Sequence, residues 1–272
     1  MRIGLLGVDS SRPVRVVTYL GQVAAAGAPH RLVAIATEGA APPVELRTLA
    51  PEAELVEQAN ELLGRVDAVI DVGRRAGERR ARLTALLESG VHVLADKPLA
   101  RRAVDAEALV AAARRGHSAL AADSGYRGAV EPWMRTAGAT SVEISGPADL
   151  GSPSGGLAFY GIHHAQILHE LIGLPPSPRL RVARSGPVVT AALTAGQHQV
   201  RLCFDPGSAF AVSIGGVVHA LDPPADYLER LVDRFLASCA DVRLDSAWAD
   251  RLCAPVRLVE RIEAAASGQS PT

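Results

Sequence analysis

Residues Val66–Ala100 read VDAVIDVGRRAGERRARLTALLESGVHVLADKPLA. Asp67–Val72 is a short apolar, β-branched run, the pattern of a buried strand. Ala76–Ser89 has a helical pattern, His92–Ala95 is a second strand, and Asp96-Lys97-Pro98 follows at once. A strand, a helix and a strand of these lengths imply a right-handed crossover between parallel neighbours. Working toward the N-terminus, Arg2–Gly7 predicts a first strand and Arg12–Ala26 a helix, with Ser10 or Ser11 as cap and Pro13 in its first turn. Arg31–Thr37 predicts another strand, and a short helix is expected near Glu57–Gly64. Toward the C-terminus, Arg101–Arg115 predicts a helix and Ser118–Ala122 a strand. The first part of the chain is therefore expected to be α/β, with a doubly wound parallel sheet.

After Ser124 the rhythm changes. Tyr126–Thr136 looks helical, Ser141–Ser145 extended, and a loop rich in Gly, Pro and Ser leads to a helix over Gly161–Ile172. Five strands are expected at Arg179–Arg184, Val188–Thr194, Gln199–Phe204, Ala209–Ile214 and Val217–Leu221. Short turns such as Asp205-Pro206-Gly207 imply hairpins and an open, mostly antiparallel sheet. Helices at Ala225–Ser238 and Asp245–Ala266 close an α+β domain, and the tail Gly268–Thr272 reads as disordered. The expected domains are 1–123 and 124–272.

Composition narrows the function classes. At 48% hydrophobic and 21% charged residues, with a formal net charge of -1, nothing in the chain calls for nucleic acid or anionic lipid. A small-molecule substrate is the expectation, with no nucleic acid and no membrane as partner. The N-terminal apolar run is too short for a signal peptide or a span. Cys203, Cys239 and Cys253 lack metal-ligand spacing and read as small buried hydrophobes in a reducing cytoplasm, so no metal site is expected. Lys97 is the only lysine among 28 basic residues, the other 27 being arginines. An arginine stays protonated, whereas a buried lysine can exchange a proton near neutrality. Lys97 also stands at the carboxyl end of a parallel strand, where open α/β sheets gather ligands.

Three motifs in order, Asp96-Lys97-Pro98, Gly125-Tyr126-Arg127 and GGLAFYGIHHAQILHELIG (Gly155–Gly173), resemble the Gfo/Idh/MocA family of nicotinamide-dependent oxidoreductases. The resemblance extends over nearly the whole chain. It implies an N-terminal Rossmann-type domain that binds NAD or NADP, followed by a substrate and oligomerisation domain. It also implies that Lys97 orients and polarises substrate, and that His163, with His164 beside it, supplies the proton acceptor. Imidazole suits that task because its ordinary pKa, about 6.5, lies near working pH. The family's Asp, four residues before the His, falls here on Phe159, and His164, His169 or Tyr160 are the residues that would compensate.

The cofactor-binding residues expected from the resemblance are Gly7, Asp9, Ser10, Ser11, Arg12, Thr37, Glu38, Gly73, Arg74, Lys97 and Pro98. The Gly-rich turn departs from the G-x-G-x-x-G pattern. Only Gly7 survives, and Asp9 puts a carboxylate where the second glycine lets the backbone approach a diphosphate. Arg12 is expected to offset that charge, and the Ser10 and Ser11 hydroxyls to donate to phosphate. Glu38, after the second strand, favours NAD over NADP. The run Gly73–Arg80 is a candidate anion site or a solvated helix face, in a loop where the family shows Thr-Pro and a His.

Two functions follow. One is a dehydrogenase or reductase acting on a sugar, cyclitol or similar hydroxylated compound. The other is a family member that has lost redox chemistry and works as a cofactor-independent lyase, isomerase or binding protein. The strands between Arg179 and Leu221 mix apolar residues on both faces, as in Ala209–Ile214, and the resemblance implies pairing through this sheet. A homodimer or homotetramer is therefore expected.

Overall fold

The computed structural model describes residues 1–133 and 140–268, which form two compact units. The first comprises Met1–Ala100, Val104–Ala122 and Leu228–Ala249, and the second Arg101–Ala103, Asp123–Tyr227 and Asp250–Thr272. The segment Leu228–Ala249 thus packs with the first unit, although it lies far past the expected boundary at residue 123.

In the first unit, β1 (Arg2–Leu6), α1 (Pro13–Ala25), β2 (Arg31–Ala36), α2 (Val44–Leu49), β3 (Glu54–Val56), β4 (Ala68–Asp71), α3 (Arg79–Glu88), β5 (His92–Ala95), α4 (Ala103–Gly116) and β6 (Leu120–Ala121) follow one another. All six strands are parallel, in the order β3-β2-β1-β4-β5-β6. Every residue of β4 is buried, and so is all of β5 but its first, as apolar runs between two helical layers require. Order reverses between β1 and β4, which opens a crevice at their carboxyl ends.

Two elements here were not expected, α2 and β3. The segment around them is rich in Ala and Pro and shows no alternation. A three-residue strand exists because β2 offers it a ladder, through Ala34↔Glu54 to Ala36↔Val56. The cap of α1 also differs. Arg12 is the N-cap residue, and the Ser10 hydroxyl oxygen accepts the Arg12 N–H at 3.3 Å instead of reaching into the helix.

The second unit holds α5 (Gly125–Ala129), β7 (Ser141–Gly146), α6 (Ala158–Ile172), β8 (Leu180–Ser185), β9 (Val188–Ala195), β10 (His198–Phe204), β11 (Ala211–Ile214) and β12 (Val217–Ala220). The helix expected over 126–136 ends early. A 3-10 turn at Glu131–Trp133 follows α5, and the last expected residues lie outside the described ones, as does most of the tail. The remaining helices are α7 (Tyr227–Ser238) and α8 (Ser246–Ala266).

The second sheet runs β12-β11-β7-β10-β9-β8, antiparallel throughout except for the parallel pair β7 and β10. Strict alternation sorts its faces. Val142, Ile144, Val189, Ala191, Leu193, Val200, Leu202, Phe204 and Val212 are buried on one face. The other face mixes polar with small apolar residues, and it carries Arg181, Ala192, Thr194, Arg201 and Glu143 in the open. One row of that face, Ala183–Thr190–Cys203–Ser145–Ala211–Ala220, is made of small side chains in register across all six strands.

Candidate functional site

In the first unit the crevice is built from three turns. Gly7, with φ of +82°, swings the chain out of β1 and donates its N–H to Ala36 O at 3.0 Å. A Cβ on Gly7 would stand 2.6 Å from Gly73 Cα, so this turn and the one after β4 meet backbone to backbone. Asp9 follows Gly7. Its Oδ1 accepts the Arg74 N–H at 3.2 Å, and its Oδ2 stands 3.9 Å from Arg75 Nε. The expected charge partner is thereby corrected: Arg12 pairs with Asp96 instead, and Arg75 and the Arg74 N–H serve Asp9. The reason is reach, because Arg12 opens α1 on the side that faces the β5 turn.

Glu38 also has partners within the protein. It adopts φ of +54°, its Oε1 accepts the Ala59 N–H at 2.8 Å, and its Oε2 is 4.0 Å from Arg82. One oxygen of the carboxylate thus accepts from the first residue of a 3-10 turn, and the other stands near Arg82. Thr37 is half-buried at the end of β2 and donates its N–H to Val56 O. Ser11 and Arg74 are exposed, whereas Gly73 and Pro98 are buried.

The run Gly73–Arg80 divides. Arg74, Arg75 and Arg80 are exposed, but Arg79 is 1% exposed and paired with Asp71, which is 0% exposed, at 2.8 Å. Sequence reasoning missed both partners. An aspartate closing an otherwise apolar, two-face-buried strand was the signal, since such a carboxylate needs a cation.

Lys97 ends this unit's site. It is 6% exposed, and its N–H donates to Asp96 Oδ1 at 2.8 Å. Burial, then the Arg12 and Arg79 charges, lowers its amine to about 7. Such an amine exchanges a proton at working pH.

In the second unit α6 carries His163, buried among aromatic rings: Tyr126 at 5.0 Å and Phe210 at 5.5 Å edge-on, and Tyr160 at 6.0 Å. Gly146 makes the seat for Phe210, since a Cβ there would lie 2.2 Å from the ring. Phe159, which stands where the family has its Asp, packs edge-on against Tyr160 at 5.0 Å. Tyr160 is 45% exposed and lies one helical turn before His163, so it is the polar group of the expected set that flanks it.

His164 shares the Phe210 ring with His163, at 5.1 Å, but is sealed from solvent, and its expected catalytic role is not supported. It is 0% exposed, with Nε2 3.1 Å from Cys203 O and the ring against Phe204 at 4.4 Å. Burial lowers its imidazole to about 4, so it stays neutral and donates to that carbonyl. His169 is likewise lowered to about 4, by burial and then by Arg127 and Arg251.

Arg127 of the Gly-Tyr-Arg motif is almost fully buried. It pairs with Asp123 and with Glu170 at 3.2 Å and donates to Arg251 O at 3.0 Å, which ties α5 to α6 and α8.

Among the described residues, no helix is long and apolar enough to cross a membrane. No curated protein matches the chain in sequence. Solved structures do. The WlbA (WbpB) dehydrogenase of Thermus thermophilus, determined with NAD and α-ketoglutarate, superposes with a TM-score of 0.76 at 15% identity, covering 100% of this chain and 97% of the other. The UDP-N-acetylglucosamine 3-dehydrogenase GnnA of Acidithiobacillus ferrooxidans gives 0.72 at 20% identity, with 98% of each chain covered. A Gfo/Idh/MocA family oxidoreductase from Vibrio cholerae gives 0.72 at 17% identity and 96% of each. At these identities the likeness is one of fold. The family model for "Oxidoreductase family, NAD-binding Rossmann fold" matches residues 1–124. Residues 1–124, whose strand order and crevice are described above, are thus the part of the chain that matches the Gfo/Idh/MocA oxidoreductase family model.

Proposed function

We propose that the protein is a nicotinamide-dependent dehydrogenase or reductase of a sugar, cyclitol or similar hydroxylated small molecule. The observation that carries this reading is Lys97, the chain's one amine-bearing side chain, buried at the end of β5 in an NAD-binding Rossmann unit. A bound nicotinamide would supply the hydride acceptor or donor. Lys97 orients and polarises the substrate hydroxyl, and His163 takes or returns its proton. The dehydrogenases of similar fold act on sugar nucleotides or were crystallised with NAD, which supports a polyol-like substrate here.

The crevice fits a dinucleotide through its strand order and through the Gly7 turn, with Gly7, Ser10, Ser11, Thr37, Gly73 and Arg74 as the residues that would hold it. Asp9 works against a diphosphate, although Arg75 and the Arg74 N–H draw its carboxylate aside. Weak binding of NADH or NADPH is therefore expected, tightened about tenfold or more by Asp9→Gly, since removing one like charge near phosphate is worth at least about 1.4 kcal/mol at short range. Titration calorimetry with both cofactors checks this. If neither cofactor binds either variant, the redox reading fails. The second reading, a member without redox chemistry, then gains from Asp9 and from Phe159.

A second copy of the chain is the partner we propose for the outer face of the second sheet. Its row of small side chains admits close face-to-face packing, and Val217 and Val218 stand 59% and 69% exposed at its edge. A dimer or a dimer of dimers is expected in sedimentation at micromolar concentration. A single 28.4 kDa species would overturn this. Three thiols without disulfides fit work in the cytoplasm.

A further inference from the structure

Asp71 ends β4 and Arg79 opens α3, and their side chains meet out of reach of water. Arg79 Nε donates to Asp71 Oδ2 at 2.8 Å, Nη2 donates to Gly73 O at 2.7 Å, and Nη1 donates to Pro98 O. Asp71 Oδ1 accepts the Gly73 N–H at 2.9 Å. One guanidinium thus ties the strand end, the turn after it and the residue that follows Lys97. On the other side of Lys97, Arg12 pairs with Asp96, whose Oδ1 also accepts the Lys97 N–H at 2.8 Å.

A buried ion pair is a poor device for stability alone. Desolvation of the two ions offsets their attraction, and an apolar pair of like volume does as well or better. What the Asp71–Arg79 pair adds that an apolar pair lacks is a directed grip and a fixed charge. Both act on the Asp96-Lys97-Pro98 turn.

We propose that Asp71–Arg79 and Arg12–Asp96 are positioning pairs for Lys97, clamping its turn from both sides and setting the electrostatic field around its amine. The inference rests on reading Lys97 as the group that meets substrate. Arg12 and Arg79 are cations whose charges act on the amine, while Asp96 and Asp71 are each engaged by one of those guanidiniums. Arg82 Nη2 stands a further 3.8 Å from Asp71 Oδ2. Each of those two guanidiniums is thus backed by a carboxylate. With burial as the larger cause, they bring the amine to about 7.

The test needs neither substrate nor cofactor. Lys97 is the only lysine, so trace acetylation followed by peptide mass spectrometry reads its amine apart from the N-terminus. The rate of labelling against pH gives a midpoint, expected near 7 in the full-length protein. Arg79→Gln removes a cation, and the midpoint should rise by about one unit or more. Asp71→Asn removes the anion behind Arg79, and the midpoint should fall. Arg12→Gln, at a partly exposed helix start, should raise it and keeps the test open if Arg79→Gln does not fold. Simple loosening of the core would raise the midpoint in both the Arg79 and Asp71 variants by admitting water. Shifts of the same sign in those two overturn the proposal, as do unchanged midpoints in the folded variants. Because no cofactor is present, that failure is distinct from failure of the hydride-transfer reading.

Discussion

Lys97→Met is expected to lower turnover by roughly 10²–10⁴-fold, the range for loss of a positioned acid–base group. The fold should survive, because methionine matches the length of the stem and removes an amine that burial already disfavours as a cation. Lys97→Arg should not rescue. It would place a third, permanently charged guanidinium beside Arg12 and Arg79, and it cannot give up a proton at neutral pH. Nicotinamide absorbance with a panel of sugars and cyclitols measures the rate, and thermal melts in parallel report the fold. Near wild-type turnover in Lys97→Met would remove Lys97 from the mechanism.

The largest effect on stability is expected at Arg127. Arg127→Met leaves Glu170, 8% exposed, and Asp123, 23% exposed, without the cation that sits between them. Breaking a buried pair by removing one partner costs about 3–5 kcal/mol, much more than the pair itself contributes. Urea unfolding followed by circular dichroism should show that loss. Adding Glu170→Leu to Arg127→Met should recover part of it, because the uncompensated buried charge is then gone. A loss below about 1 kcal/mol, the scale of an exposed pair, would show that Arg251 alone satisfies the two carboxylates. Activity should fall along with stability, since Tyr126, next in the chain, forms one wall around His163.

The sequence by itself determined the architecture. Strand–helix repeats of fixed length leave a parallel sheet as the economical way to bury Ala68–Asp71 and His92–Ala95, and strands joined by short turns after Ser124 imply a mostly antiparallel sheet. It also determined that Lys97, as the only lysine and at a strand end, is the residue to examine. These features are local, carried by periodicity and position along the chain.

Tertiary structure decided whatever depends on partners far away in sequence. Glu38 was read as a ribose acceptor, and one of its carboxylate oxygens also accepts the N–H of Ala59, 21 residues on. Arg12 was read as the partner of Asp9, and the fold gives it Asp96 instead. His163 and His164 are adjacent and alike in sequence. Successive residues on a helix point about 100° apart, so His163 meets Tyr126 and Tyr160, whereas His164 meets Phe204 and the carbonyl of Cys203. Within a run of arginines, only packing against β4 selected Arg79 for burial. Hydrogen bonding and desolvation act on distances in space, which the order of residues along the chain does not contain.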